Sequence, residues 1–157
     1  FGGDQAVTTS ADWTARVWDL RTGLCRSVLS GHRGSVRCAA VACYNEEWVV
    51  VTGGADCAVR VWVDKADEEQ QLRESQVLQV HAAPVTYLTA TEDCLVSAAA
   101  DNTAVSWDLR SVRQKRGPWR PHQVQDSFPG QARSISFDEE AGLCSGLQSG
   151  TVMCWSI

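Results

Sequence analysis

The sequence predicts an all-β chain built from repeated units of short antiparallel strands, and three observations lead there. Trp18, Trp62, Trp107 and Trp155 are separated by 44, 45 and 48 residues. Each closes a matching run: VTTSADWTARVW, VTGGADCAVRVW, VSAAADNTAVSW and CSGLQSGTVMCW. Around them lie short β-branched stretches such as Val49-Val50-Val51-Thr52 and Ala58-Val59-Arg60-Val61-Trp62, broken by Asp, Asn, Gly and Ala links of hairpin length.

Within the runs the matches sit at fixed offsets. An Asp stands six residues before the Trp in the first three (Asp12, Asp56, Asp101), and Ser or Thr stands ten before it in all four (Thr8, Thr52, Ser97, Ser145). A period of about 40 to 50 residues points to a propeller or a solenoid. Helical repeats need 3.6-residue periodicity over a long window, and none occurs here. Each repeat therefore reads as a four-stranded blade.

Through Gly31-His32, Asp56 and Trp62, and through the dipeptides Trp18-Asp19 and Trp107-Asp108, the sequence resembles the WD-repeat family over nearly its whole length. The second repeat has Trp62-Val63 in place of the dipeptide. The resemblance implies a β-propeller of four-stranded antiparallel blades. It further implies a buried chain of hydrogen bonds within a blade: His32, Thr52, Asp56 and Trp62 in one set, His81, Ser97, Asp101 and Trp107 in a second. The first repeat offers Thr8, Asp12 and Trp18, with no His in reach of the sequence. In the last, Ser149 stands where Asp is expected and Phe128 falls near the His position, so that blade should lack the network. The physical logic is general. A buried Trp N–H needs an acceptor hydroxyl, the His links that hydroxyl to a carboxylate, and the carboxylate accepts backbone N–H groups at the turn.

The blades are expected at approximately 1–30, 31–80, 81–121 and 122–157. The family commonly has seven blades and often completes the last with an outer strand from the N-terminal end. The chain starts near the second strand of one blade and stops on the third strand of another. It is expected to be the C-terminal portion of a seven-bladed ring whose N-terminal blades are missing, with Phe1 a cut and Ile157 a candidate C-terminus.

Composition bounds the function. The 157 residues suffice for one domain with a core. A net charge of −5 argues against a general nucleic-acid surface, which needs positive charge. No apolar run approaches the roughly 18 residues of a membrane span, and no signal segment opens the chain. The seven cysteines are odd in number, lack C-x-x-C spacing and lie mostly in apolar runs. They read as small buried hydrophobes in a reducing compartment, with no metal site. The expected location is intracellular, in cytoplasm or nucleus.

No catalytic residue is expected. His32 and His81 fall on structural positions, and no phosphate-binding loop, HExxH or nucleophile elbow occurs. Partner binding is expected instead on the face carrying the Asp turns. Trp13 stands in a turn where a small or polar residue is usual, and Arg33 and Arg37 lie nearby. Residues 117–131 read as a long connection on that face, contributing Trp119, Arg120 and His122. Residues 64–74 form a charged loop on the opposite face, read as solvated. The expected role is a scaffold that binds proteins or peptides without cofactor or small-molecule substrate. A second class is a substrate receptor of a cullin-RING ubiquitin ligase, implied by Trp18-Asp19-Leu20-Arg21 and Trp107-Asp108-Leu109-Arg110, with Arg21 and Arg110 as adaptor contacts. A third is a propeller appended to a catalytic domain.

Overall fold

The computed structural model describes residues 4–44, 47–64, 72–91, 94–109, 121–125, 132–138, 142–147 and 152–155. They form four antiparallel sheets in chain order. The first holds β1 (Gln5–Thr9), β2 (Thr14–Asp19) and β3 (Cys25–Ser30). The second holds β4 (Val36–Tyr44), β5 (Glu47–Gly54), β6 (Val59–Asp64) and β7 (Leu72–Leu78). The third holds β8 (Val85–Ala90), β9 (Cys94–Ala99), β10 (Ala104–Asp108) and β11 (Pro121–Gln125), and the fourth β12 (Ala132–Asp138), β13 (Gly142–Leu147) and β14 (Val152–Trp155). The inner strands β4, β8 and β12 neighbour one another in succession. This is the all-β, blade-by-blade architecture of a partial propeller.

Burial on both faces of each central sheet explains the uninterrupted apolar runs. Val49 and Val51 pack with Val59, Val61, Val85, Leu95, Val105 and Trp107 between the second and third sheets. Val50, pointing the other way as strand alternation requires, packs with Trp62, Ala15, Val17 and Leu29 between the first and second. The strand-three tryptophans thus face the preceding sheet: Trp62 meets the first and Trp107 the second. Close approach between sheets also dictates Gly53. A Cβ there would lie 2.6 Å from Val85 Cγ1 and 2.8 Å from Cys38 Sγ.

Two expectations about connections change. The stretch 117–131 contains β11, whose register on β10 runs Ala104↔Gln125, Val105↔Val124, Ser106↔Gln123 and Trp107↔Pro121. The expected blade boundary between 121 and 122 therefore falls inside a strand. Trp119 and Arg120 precede β11 in the chain. Both lie outside the described residues, as does Arg110. His122 is the extra residue of a bulge in β11, the position that Ser75 takes in β7 and Arg26 in β3. The charged loop is likewise shorter than expected. Leu72 to Glu74 belong to β7, Leu72 packs on the core, and Glu74 pairs with Arg60. Residues 65–71, 128 and 149 lie outside the described residues.

Gly53→Ala should destabilise the protein by about 1 to 3 kcal/mol, because the added methyl meets a valine from the next sheet. Thermal or urea melting checks this; an unchanged midpoint would mean the sheets are less tightly fitted than the distances imply.

Candidate interaction face

One end of the sheets is organised by three hairpin turns of the same construction. Asp12, Asp56 and Asp101 each accept the backbone N–H two residues on, from Thr14 (3.0 Å), Ala58 (3.3 Å) and Thr103 (3.0 Å). The residue after each Asp is left-handed: Trp13 at φ 73°, Cys57 at 63° and Asn102 at 65°. Three-residue hairpin loops place their last residue there. Asn tolerates it, whereas a tryptophan does so against its Cβ.

The second carboxylate oxygen reaches back to the preceding loop. Arg33 N–H donates to Asp56 Oδ2 at 2.8 Å, and Ala82 N–H to Asp101 Oδ2 at 2.7 Å. Backbone bonds fasten the same loops sideways: Val36 N–H to the Ser10 carbonyl at 3.0 Å and Ala55 N–H to the Ser35 carbonyl at 2.8 Å. The Trp13 turn, the Arg33 loop and the Asp56 turn are thereby lashed into one surface.

Beneath it run the side-chain networks. In the second sheet Trp62 Nε1–H donates to Thr52 Oγ1 (2.8 Å), Thr52 Oγ1 bonds His32 Nε2 (2.8 Å), and His32 Nδ1 bonds Asp56 Oδ1 (2.9 Å). With the carboxylate accepting at Nδ1, that nitrogen carries a proton, and the other ring nitrogen meets the Thr52 hydroxyl. The third sheet differs by one hydroxyl. Trp107 Nε1–H donates to Ser97 (3.1 Å), and Ser97 bonds His81 Nε2 (2.8 Å). His81 Nδ1 then meets Thr103 Oγ1 at 2.9 Å, and that hydroxyl donates to Asp101 Oδ1 at 2.6 Å. Asp101 itself is 3.9 Å from Nδ1. The direct His81–Asp101 bond parallel to His32–Asp56 is replaced by a relay through Thr103, where the second sheet has Ala58. In the first sheet Trp18 Nε1–H donates to an exposed Thr8 hydroxyl at 2.8 Å, and Asp12 takes Thr14 Oγ1–H (2.7 Å) and Arg16 (3.1 Å).

Electrostatics follow from these contacts. Burial pushes the Asp56 carboxyl upward, yet the Arg33 N–H, His32 and the Ala58 N–H together hold it below the usual value. Asp101 balances likewise: burial opposes, and the Thr103 hydroxyl with the Ala82 and Thr103 N–H groups wins. The His81 imidazole is lowered, chiefly by burial, with Asp101 opposing. Cys38 is pushed up to about 12 by burial, which removes it as a nucleophile. Thr52 and Ser97 are fully buried and already bonded to a Trp and a His. Among the described residues no group of three or more His, Cys, Asp or Glu could hold a metal.

Outward on this face stand Trp13, 55% exposed, the half-exposed Asp12–Arg16 pair, and exposed Arg33 and Arg37. Arg37 is the unpaired residue of a bulge in β4. Arg21 lies at the opposite end, on the β2–β3 turn. Asp19 Oδ1 accepts the N–H groups of Arg21 (2.9 Å) and Thr22 (3.1 Å), while the Arg21 guanidinium stays exposed, 3.7 Å from Asp4. Leu20 and Leu24 beside it are 60% and 67% exposed. The sequence reading missed both, and missed Thr103; the Asp-x-Thr spacing shared by Asp12-Trp13-Thr14 and Asp101-Asn102-Thr103 was the available signal for the latter.

The family model of the WD domain, G-beta repeat matches residues 23–63. A DENN domain and WD repeat-containing protein of Arabidopsis thaliana is 29% identical over 97% of this chain and 13% of its own length. A mitochondrial division protein of Aspergillus oryzae is 33% identical over 96% of this chain and 30% of its own length. The chain thus spans less than a third of these relatives. The crystal structure of the computationally designed Ika4 protein superposes with a TM-score of 0.78 at 27% identity, over all of this chain and 88% of that one. No helix among the described residues is long and apolar enough to cross a membrane.

Asp56→Ala should cost about 2 to 4 kcal/mol in chemical denaturation, since it strands buried donors. An unchanged midpoint would refute the role given to that carboxylate. His81 supplies a pH test. Its folded pKa is depressed, so below the ordinary 6.5 the unfolded chain takes up a proton that the folded chain resists. The stabilisation is present above that value and is lost as pH falls through the folded pKa. Thr103→Ala lets His81 face Asp101 directly and should raise the His81 pKa in an NMR titration; a fall would show that the hydroxyl is not what separates them.

Proposed function

Starting from a chain that belongs to the WD-repeat family, we propose that it is a non-catalytic protein–protein interaction scaffold of an intracellular multiprotein assembly, with each sheet serving as one blade. Partner proteins or peptides are held on the end bearing Trp13, Arg33 and Arg37, and no cofactor or metal is needed. One observation carries this reading. An exposed tryptophan is kept in a left-handed turn that backbone hydrogen bonds fasten to the Arg33 loop. Strained, outward-facing groups of this kind accumulate at functional sites, and Trp and Arg dominate binding hot spots. The name of the Arabidopsis relative places WD repeats beside a DENN domain, and the activity of such a whole protein would be shared with parts this chain does not match.

A second reading, a substrate receptor of a cullin-RING ubiquitin ligase, draws on the opposite end. There Arg21 stands outward between two exposed leucines rather than buried among local carboxylates. Arg21→Glu would abolish association with the ligase core on that reading and leave other partners untouched.

In pull-downs with the full-length protein, Trp13→Ala and Arg33→Glu should each weaken native partners about tenfold, or roughly 1.4 kcal/mol. Deleting residues 66–70 should do little. Loss of binding on the deletion, with the point variants behaving as wild type, would move the site to the opposite end.

A further inference from the structure

We propose that the segment bound by this face is an acidic peptide stretch of a partner protein, with an apolar side chain next to its carboxylates. The inference rests on the scaffold reading above and names the chemistry of its partner.

Charge placement is the first support. The protein carries a net charge of −5, yet on this end the turn carboxylates are already engaged by donors of the protein itself. Asp56 and Asp101 are largely buried, each gripped by several donors, and Asp12 is engaged by Thr14 and Arg16. The Asp12–Arg16 pair is half exposed and mutually engaged, whereas the exposed guanidiniums of Arg33 and Arg37 have no ion-pair partner among the described residues. Exposed guanidiniums set beside carboxylates that are already satisfied by other donors are free to meet the carboxylates of an anionic segment.

A repeated backbone device supports it next. The second residue of each inner strand is an unpaired bulge: Arg37 in β4, Thr86 in β8 and Arg133 in β12. Bulges bend a strand and re-aim the residue they leave unpaired. Because β4, β8 and β12 follow one another around the inner side, the bulges put two arginine positions and one threonine on the same rim. Arginine at such positions offers planar paired donors that match carboxylate oxygens. Trp13 adds an apolar platform on the neighbouring turn, already ordered by its own hydrogen bonds. The two exposed guanidiniums of Arg33 and Arg37 suit a short peptide; a nucleic acid would require more neutralised phosphates for useful affinity.

Selection from a displayed library of short random peptides on the full-length protein tests this. Enrichment of Asp and Glu beside Leu, Phe or Trp is expected, with binding about tenfold weaker for Trp13→Gly and for Arg37→Glu. The double variant Arg33→Glu, Arg37→Glu should select basic peptides instead. Trp13→Gly puts the residue that favours positive φ into the turn, so its melting temperature should hold or rise; should it unfold, the exposed arginine variants carry the test. Neutral or basic peptides that still depend on Trp13 would overturn the acidic class and leave the face standing. Peptides indifferent to all three changes would overturn the face as well. No enrichment over the double variant, or tighter binding of a single-stranded oligonucleotide than of any selected peptide, would also overturn the proposal.

Discussion

The Asp56 carboxylate is the contact on which this architecture turns. One side chain closes its own hairpin through Ala58 N–H, holds the preceding loop through Arg33 N–H, and orients the His32 ring. The ring then presents Nε2 to Thr52, whose oxygen accepts the Trp62 N–H in the core. Removing a carboxylate this far from water is unfavourable by itself. The several donors converging on it reverse that balance, as the lowered pKa records. A turn at the rim and a tryptophan in the core are thereby parts of one network. Such a network is stable only when every member is satisfied.

Much of this was legible in the sequence because it is periodic. The Trp spacing and the Ser or Thr ten residues earlier reflect one geometric need, a hydroxyl under each indole N–H, and it recurs at Thr8, Thr52 and Ser97. The two-sided burial of Val49 to Val51 was written as a continuous apolar run. What was illegible lacked such a signature. β11 carries Val124 between glutamines after a proline, with no alternation to mark a strand; its pairing is set by β10 rather than by its own residues. The Thr103 relay depends on a single hydroxyl near the His81 ring. The exposure of Leu20 and Leu24 depends on the turn that Asp19 builds, where an apolar residue carries no sequence mark of facing out.

The Ala58 and Thr103 difference shows how two repeats with the same named residues acquire different chemistry. With Ala58 the imidazole touches the carboxylate, and with Thr103 a neutral hydroxyl intervenes. Attraction between ring and carboxylate falls with distance. Burial is consequently the larger influence on His81, and the ring is held towards its neutral form.

The Trp13 turn can hold its left-handed residue because it is over-determined. Asp12 binds the Thr14 N–H and hydroxyl and Arg16, Ser10 N–H closes on the Thr14 carbonyl, and the Ser10 carbonyl is tied to Val36. Each bond would have to break for the tryptophan to relax. None of them uses the indole, which stays half exposed. Glycine at this position would serve the fold better, since it lacks the Cβ that opposes positive φ. A bulky side chain kept where the backbone prefers none is therefore best understood through what lies outside the fold. On the proposed reading, that is a partner whose apolar group finds the indole already in place, so that little ordering opposes binding.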